Sequence, residues 1–314
     1  MKWPTWYHGA LLAAVCVVAW WVLGRVRGSD RRPDTRVARA AAMARPAAQE
    51  LAVVATLYAI WRLARKLPLA TAEGAIERAR QLDDLQRALG FPSELSLQHF
   101  VLHDDWLGRT TNIYYATVHV PATIAFLVWL FVRHRNEYPH WRNGLAIVTG
   151  LCLVIRFVRV APPRFLPDLG YIDLASKYGW SVYGPVGTGV SDQFAAMPSI
   201  HVAWAAVVSF GIIAASPSRW RWVFGLQVVL TMLAVSASGN HWWLDGIVAI
   251  GLLGVALVID TAVRRWAAGR SADPAGRDET RRGAEPIVSA DPLSVGERPE
   301  QVLDEESFVG VPLE

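Results

Sequence analysis

The sequence has few charged residues and almost no cysteine, and each shortage excludes a class of protein. Of its 314 residues only 18% are charged, whereas 53% are hydrophobic, and the charges avoid long stretches of the chain. Uncharged runs of this length are typical of helices that span a bilayer and not of a soluble domain, whose hydrophobic residues recur with amphipathic periodicity. The two cysteines, Cys16 and Cys152, lie in apolar segments, so their number excludes a disulfide framework and a zinc ribbon.

The excess of positive charge is small, with a formal net charge of +4, and gives no reason to expect a nucleic-acid partner. The positive residues instead cluster near the ends of the apolar segments, where they act as topology signals. Many of the 15 tryptophans also lie at segment ends, as in an interfacial aromatic belt. We therefore expect an integral membrane protein in contact with membrane lipids.

Several apolar segments are long enough to be transmembrane helices. They lie near 6–24, 47–64, 110–132, 144–162, 197–215, 220–237 and 241–263. The second is the weakest, because it is short and contains Glu50. The first is not a signal peptide, since an arginine-rich stretch follows it instead of a small-residue cleavage pattern. The sequence thus predicts an all-α, polytopic membrane bundle of about seven transmembrane helices.

The distribution of arginine predicts which ends of these helices face the cytoplasm. The connection after the first span contains Arg25, Arg27, Arg31, Arg32, Arg36, Arg39 and Arg45. The connection at 133–143, the one before 220 and the exit of the last span are also basic. Since basic connections face the cytoplasm, every second connection lies inside and the N-terminus lies outside. Without the second span, the arginines of the first connection would lie on the wrong side.

The connections on the opposite side are 65–109, 163–196 and a tight turn at 238–240. The first contains an amphipathic stretch whose apolar residues recur about once per helical turn. These residues are Ala75, Ala79, Leu82, Leu85 and Leu89. We expect this helix to lie on the membrane surface, in the position of a lid.

Composition divides the chain into three parts. Residues 1–46 contain the first transmembrane helix and the basic cytoplasmic loop, and residues 47–266 form the membrane-embedded core. The tail at 267–314 is rich in Pro, Ser, Asp and Glu and has no apolar periodicity, so we expect it to be disordered in the cytoplasm.

Two histidine motifs lie at the predicted outer ends of the fifth and seventh spans. In the first, Pro198 opens a helix at the first-turn position that proline favours, and Ser199 and His201 follow in the same turn. In the second, His241 and Asp245 are four residues apart, so we expect them to lie on one face of the last helix.

Two further polar residues flank these motifs. Asn240 is the predicted N-cap of the last helix, and Arg164 lies just past the fourth span in the proline-rich segment 161–167. By the predicted topology, all of these stretches face the same side of the membrane. Ionisable groups within membrane spans are costly, so a functional role is the default expectation for them.

These residue types together suit phosphoryl transfer. A histidine nitrogen attacks phosphorus well when its other nitrogen donates to a carboxylate, and His241 with Asp245 supplies that pair. His201 can protonate the leaving oxygen and later activate the acceptor. Arg164, the Ser199 hydroxyl and the backbone amides at two helix N-termini can neutralise the phosphoryl charge.

A zinc site is the alternative interpretation of the same residues, because His241, Asp245 and His201 are all possible zinc ligands. We favour phosphoryl transfer, since an arginine such as Arg164 beside the site suits an anion better than a cation. Each histidine taken alone is more often an ordinary interfacial residue. The combination of the motifs on one side of the membrane is what favours a catalytic site, for which we expect no metal and no cofactor.

The three motifs together resemble those of the type 2 phosphatidic acid phosphatase superfamily, and more closely its membrane branch that includes the inositol phosphorylceramide synthases. They are Ala161-Pro162-Pro163-Arg164, Met197-Pro198-Ser199-Ile200-His201 and Gly239-Asn240-His241-Trp242-Trp243-Leu244-Asp245. The resemblance covers about residues 110–263 and implies a phosphatase-like core of six helices. It also implies that His241 is the nucleophile, that Asp245 is its partner, that His201 is the general acid, and that Ser199 and Arg164 hold phosphate.

Some positions depart from the phosphatase pattern. Phe157 stands where the pattern has lysine, Phe165 follows the arginine where it has proline, and Ile200 replaces a glycine. Ala234 and Val235 stand where a serine–arginine pair is usual. These departures favour the synthase-like branch over the phosphatases of soluble substrates.

Three more residues are candidates for contact with the substrate. Arg156 and Arg159, on the outer half of the fourth span, are candidates for the missing positive charge, although arginines there also snorkel to the interface. His119 lies part-way into the third span and is a candidate contact for a headgroup or acceptor; a hydrogen bond between helices is the alternative.

Three functions are compatible with this site. We favour a lipid phosphatase that acts on a lipid phosphate or diphosphate, on the extracytoplasmic face of a bacterial plasma membrane. A transferase would use the same residues to move a phospho-headgroup from a phospholipid to a lipid or polyol hydroxyl, and the sequence does not separate the two. A transporter or scramblase is disfavoured, because the polar cluster lies at one face and no inverted repeat is present.

Overall fold

The apolar segments of the chain fold into helices, because a backbone in lipid must satisfy its polar groups within its own segment. A computed structural model describes residues 4–29, 35–64, 74–179 and 193–271. Within these ranges the regular structure is entirely helical, without a strand, and the predicted all-α class is confirmed. Residues up to Arg265 form one compact unit. The second unit begins at Trp266, and most of the predicted tail lies outside the described residues.

The described residues contain eleven α-helices. They are α1 (Trp6–Ser29), α2 (Arg36–Ala64), α3 (Ala75–Ala88), α4 (Glu94–Leu102), α5 (Asp105–Thr117), α6 (His119–Arg133), α7 (Tyr138–Ile155), α8 (Leu174–Tyr178), α9 (Ile200–Ala215), α10 (Gly225–Ala237) and α11 (Trp243–Ser271). Short 3₁₀ helices lie at Pro163–Phe165, Pro167–Leu169 and Arg219–Phe224.

Three helical segments are long and apolar enough to cross a membrane. They are Trp6–Val26, Arg219–Ala237 and Trp243–Arg270. α5 and α6 also meet the criterion when taken together, as a pair bent by 48°, and α9 is apolar but shorter. These segments make the chain a membrane protein, whereas the count of seven spans and the six-helix core stay predictions.

The third predicted span, 110–132, is not one straight helix. It is divided between α5 and α6 at Val118, and the physical reason is Pro121. A proline has no N–H to donate to the carbonyl four residues earlier, and its ring clashes with that carbonyl, here the one of Thr117. Regular bonding resumes when Ala122 N donates to Val118 O at 3.0 Å. The bend places His119 at the junction of the two helices.

The fourth predicted span, 144–162, is too long at its outer end, because α7 ends at Ile155. The backbone beyond it bonds to distant segments instead of continuing the helix. Ala161 N donates to Ala75 O at 3.0 Å, and Val160 O accepts from Ala196 N at 2.9 Å. These long-range hydrogen bonds replace the local ones that the apolar composition of the segment predicts.

The main hydrophobic core is centred on α9, which is buried on most sides by helices α6, α7 and α10. Small side chains on α9, such as Ala203 and Ala206, let these neighbours approach closely. The closest approach is at Gly211, where an added Cβ would lie 2.2 Å from Cζ of Phe126. Only glycine fits at that position without displacing the Phe126 ring.

A second, smaller core forms around the fully buried Trp242, where the segments before α5 and after α7 pack against the ends of the helices. Its buried members are Ala75, Ala79, Val160, Ala161, Leu166, Tyr171, Ala196 and Trp242. The Trp242 indole donates to Ala161 O at 3.0 Å. The chain segments that carry the three sequence motifs all meet at this core.

The apolar face predicted for α3 is only partly observed. Ala75 and Ala79 are buried, but Leu85 and Leu89 are 48% and 60% exposed. Gln86 is buried in their place, together with Asp83. α3 turns this polar side inward because it makes hydrogen bonds with the start of α11, as described below.

Glu50, the acidic residue inside the second predicted span, has a partner in the structure. Glu50 on α2 accepts a hydrogen bond from the guanidinium of Arg142 on α7, and the two side chains are 23% and 18% exposed. The helix begins earlier than the predicted span, since α2 starts at Arg36, and α2 is not among the segments that meet the membrane-span criterion. A paired charge is compatible with a membrane helix, whereas an isolated one is costly.

We predict that Arg142→Ala destabilises the protein by about 2 kcal/mol, because it leaves the Glu50 carboxylate without its cation. The double variant Glu50→Gln/Arg142→Ala should recover much of the loss, since it removes both charges. Thermal unfolding in detergent measures both effects, with Arg135→Ala as an exposed arginine control. Equal unfolding midpoints for the single and double variants would contradict this role for the ion pair.

Candidate active site

His201 is held in the first turn of α9. The helix begins at Ile200, and the preceding Ser199 is its N-cap, with Ser199 Oγ accepting from Val202 N at 3.4 Å. Pro198 therefore precedes the cap and does not open the helix as predicted. Ser199 is fully buried and His201 nearly so, which keeps the histidine ring in a fixed position inside the protein.

His241 lies in the turn before α11, not on the helix face that its four-residue spacing from Asp245 predicts. α11 begins two residues later, at Trp243. The turn is closed at Gly239, whose φ of +70° is a left-handed conformation that suits glycine. His241 N donates to Val235 O at 3.2 Å, so the end of α10 anchors the histidine.

The hydrogen bonds of His241 define which of its ring nitrogens carries the lone pair. Nδ1 lies 2.8 Å from the carbonyl oxygen of Ala196 and 3.3 Å from Oδ2 of Asp245. Because a carbonyl only accepts hydrogen bonds, Nδ1 carries the proton and the lone pair is on Nε2. Nε2 has no hydrogen-bond partner among the described residues.

Asp245 connects the two histidine motifs. Its buried carboxylate oxygen Oδ2 accepts from Trp242 N at 2.8 Å in addition to its contact with His241. Its backbone oxygen accepts from Ser199 N at 3.1 Å. The centroids of the His201 and His241 rings are 5.7 Å apart. The structure thus brings together the predicted nucleophile, its partner and the predicted general acid.

Arg164 lies against the turn that carries His241. It is part of the 3₁₀ turn Pro163–Phe165. Its backbone N donates to Gly239 O at 2.9 Å, and its buried guanidinium donates to Oδ1 of Asn240. Asn240 was predicted to cap α11; it instead orients Arg164, while its own amide donates to Ser238 Oγ at 2.8 Å. The guanidinium also lies 4.0 Å from the carboxylate of Asp173.

His119 also lies at the site, because the bend between α5 and α6 turns it toward α9. Its ring centroid is 4.4 Å from that of His201, which also lies 4.6 Å from the Tyr115 ring. A small cavity next to these rings has room for about one water molecule. It is lined by Tyr114, Tyr115, His119, His201, Thr231, Ala234 and Val235.

Arg156 and Arg159, the other two arginines predicted to contact the substrate, do not lie on a helix of the fourth span, because α7 ends at Ile155. Arg156 donates from its guanidinium to Ala64 O, at the end of α2, at 2.5 Å. The carbonyl oxygen of Arg159 accepts from Arg78 Nε, also at 2.5 Å. Both contacts connect segments of the fold, and neither involves the histidines.

The backbone amides at the start of α11 are not available for phosphate, in contrast to the prediction. Trp243 N donates to Oε1 of Glu94 at 3.0 Å, and Leu244 N donates to Oε1 of Gln86 at 2.9 Å. Neither acceptor is among the residues predicted from the sequence. The available signal was the spacing of Gln86 from Ala79, which places a polar residue on the buried side of α3.

The zinc interpretation requires several ligands that converge on one point. Among the described residues, no group of three or more histidine, cysteine and acidic side chains has a geometry that could hold a metal ion. In addition, Nδ1 of His241 and the carboxylate of Asp245 are turned toward each other, which is the arrangement of a hydrogen-bonded pair.

Comparison with known protein families agrees with this geometry. A family model described as the PAP2 superfamily matches residues 80–259, which is more than half of the chain. The chain belongs to the PAP2 superfamily. The match includes all three motifs and extends from α3 into α11. Neither a search of curated proteins nor a search of solved structures found a match.

Membership of the PAP2 superfamily makes the chain an enzyme of the phosphatase or phosphotransferase type. It agrees with the superfamily predicted from the three motifs. The closer resemblance to the inositol phosphorylceramide synthases, the lipid substrate and the roles of the individual site residues stay predictions.

We predict that Gly239→Ala lowers both stability and turnover. A Cβ at this position would lie 3.1 Å from Nε2 of Gln98 and 3.3 Å from Ile172 O, in addition to a left-handed backbone cost of about 1–2 kcal/mol. Gly90→Ala is the matched control, since Gly90 has a φ of +75° but no atom within 4 Å of the added Cβ.

Thermal unfolding and turnover of the two variants give the comparison. Gly90→Ala should show only the backbone cost and keep its turnover. A Gly239→Ala variant as active as Gly90→Ala would contradict the role assigned to this turn in holding His241 and Arg164.

Proposed function

We propose that this PAP2 enzyme is a lipid phosphatase that acts without a metal ion on a lipid phosphate or diphosphate through a phosphohistidine on His241. The observation that supports it most is the pair of hydrogen bonds at Nδ1 of His241, to Ala196 and Asp245, which leaves the lone pair on Nε2. His201 supports it as the general acid, since its ring lies across from His241.

In the first half of the reaction, the lone pair of His241 Nε2 attacks phosphorus. The P–N bond forms while the P–O bond to the leaving group breaks; this group is the lipid alcohol of a lipid phosphate or the lipid monophosphate of a diphosphate. Protonated His201 gives its proton to the departing oxygen, and Asp245 stabilises the positive charge that develops on His241. The lipid alcohol, or the lipid monophosphate if the substrate is a diphosphate, then leaves.

In the second half, water attacks the phosphorus of the phosphohistidine. The new P–O bond forms while the P–N bond breaks, and its electron pair returns to Nε2 of His241. His201, now neutral, takes the proton of the attacking water, so both histidines recover their starting states. The product of this half is inorganic phosphate for either substrate, because only the phosphoryl group is on His241.

Binding of the phosphoryl group falls to residues around the two histidines. Arg164 is buried next to the His241 turn and is oriented by Asn240, which suits a cation that neutralises phosphate oxygens. Ser199, at the N-terminus of α9, adds a hydroxyl donor. His119 contacts the His201 ring and is the proposed contact on the side of the leaving group or acceptor.

A small cavity beside His201 has room for about one water molecule. Tyr114 and Thr231, whose hydroxyls are 3.0 Å apart, give it polar partners. The positive-inside rule supports an extracytoplasmic location for the site. Headgroup transfer, as in the inositol phosphorylceramide synthases, is the alternative outcome of the experiment below.

We predict that His241→Ala lowers kcat by about 10⁴-fold or more, because it removes the nucleophile. Asp245→Asn should lower kcat by about 10²–10⁴-fold, because the tautomer of His241 is no longer fixed. His99→Ala, an exposed histidine on α4, is the control. All variants should insert and elute as monodisperse species, and normal turnover by His241→Ala would exclude it as the nucleophile.

The substrate prediction is tested with purified protein in detergent and a chelator. We expect phosphate release from a panel of lipid phosphates and diphosphates, with no requirement for an added ceramide or polyol. Formation of a new lipid at the expense of a phospholipid donor would identify a transferase instead. Loss of activity on chelation, with recovery on adding zinc, would restore the metal interpretation.

A further inference from the structure

We propose that Glu94 and Gln86 are positioning residues for the reaction: they hold the first turn of α11 and thereby keep His241 and Asp245 in the geometry for phosphoryl transfer. This inference rests on the proposed function of the site. Neither residue belongs to the three sequence motifs. Both come from α3 and α4, which lie on the outer connection before α5.

The first observation is how the amides at the start of α11 are satisfied. The first N–H groups of a helix have no partner within the helix, and they need another acceptor when they are buried. Here three consecutive amides each find a side-chain oxygen. Trp242 N donates to Asp245 at 2.8 Å, Trp243 N to Glu94 at 3.0 Å and Leu244 N to Gln86 at 2.9 Å.

The second observation is that Glu94 and Gln86 are hydrogen-bonded to each other. Gln86 Nε2 donates to Oε1 of Glu94 at 2.7 Å, so the same carboxylate oxygen binds both the Gln86 amide and the α11 backbone. Each of the two side chains is 2% exposed. The indole of Trp243 also donates to Pro92 O at 2.7 Å. We call Gln86 and Glu94 the α11 clamp.

The charge of Glu94 is consistent with a position at a helix N-terminus, where the helix dipole favours a carboxylate. Burial raises the pKa of the Glu94 carboxyl, while the hydrogen bonds from Trp243 and Gln86 favour its ionised form. A buried carboxyl without such partners would be costly. Its position is therefore explained by what it binds, which is the first turn of α11.

The α11 clamp is connected to the chemistry through Asp245. Oδ2 of Asp245 binds both Trp242 N and Nδ1 of His241, so the first turn of α11 sets the position of the carboxylate relative to the imidazole. If Trp243 and Leu244 lose their acceptors, this turn can rotate or fray, and Oδ2 moves with it. Misplacement of a catalytic group by about 1 Å can cost two orders of magnitude in rate.

The test compares the clamp variants with control variants of the same residue types on α3. Glu94→Ala and Gln86→Ala each remove one acceptor, and Glu94→Gln keeps an oxygen at that position. Glu77→Ala and Gln81→Ala are the controls, because these residues form an exposed glutamate–glutamine pair on α3, with the two side chains 3.4 Å apart. Gln86→Ala changes no charge, so it carries the test if Glu94→Ala does not fold.

Two measurements are made on each variant, below its unfolding temperature. The first is amide hydrogen exchange of the segment 240–246, followed by mass spectrometry. The second is the steady-state kinetics of phosphate release. We expect faster exchange and a kcat lower by about 10–100-fold in Glu94→Ala and Gln86→Ala, with KM nearly unchanged. Glu94→Gln should recover most of both properties, and the two controls should match the wild type.

Other results would overturn the inference. Unchanged exchange in Glu94→Ala and Gln86→Ala would mean that the α11 clamp does not hold the turn. Faster exchange with an unchanged kcat would mean that the turn is held but does not position the reaction. If the wild type releases no phosphate from any substrate, the proposed function fails. Amide hydrogen exchange in Glu94→Ala and Gln86→Ala then still decides whether the α11 clamp holds the turn.

Discussion

The hydrogen bond between Nδ1 of His241 and the carbonyl oxygen of Ala196 is the interaction on which the rest of the site depends. It places the proton on Nδ1 and so assigns the lone pair to Nε2. It also fixes the distance between the two histidine motifs, because Ala196 lies just before the helix that carries His201. The backbone bond from Ser199 to Asp245 connects the same two segments a second time.

Much of the remaining structure serves to satisfy buried polar groups around this bond. A polar group removed from water without a partner costs free energy, and the cost is higher in a membrane than on a soluble surface. Asp245, Glu94 and Gln86 provide acceptors for the amides at the start of α11, and Asn240 accepts from the Arg164 guanidinium. The segments that carry Gln86, Glu94 and Arg164 thus pack around the turn that carries His241.

The sequence predicted which polar residues lie close together better than it predicted the bounds of the helices that carry them. His201, His241, Asp245 and Arg164 were found from their residue types, their spacing and the predicted topology, and the structure brings them together. The helix boundaries were less accurate, as at the bend between α5 and α6 and at the end of α7. Pro121 gave a local reason to expect the bend between α5 and α6, whereas the early end of α7 has no such local cause, since Val160 and Ala161 bond to distant backbone.

By itself, the sequence determined the membrane class, the helical fold and the residue types of the site, because hydropathy and motif spacing are local properties of the chain. Only the tertiary structure decided which nitrogen of His241 is free, which residue orients Arg164 and which side chains hold α11. Those outcomes depend on contacts between segments 45 residues apart for His241 and Ala196, and 158 residues apart for Leu244 and Gln86. Such contacts form only when the folded chain brings its segments together, and no local pattern encodes them.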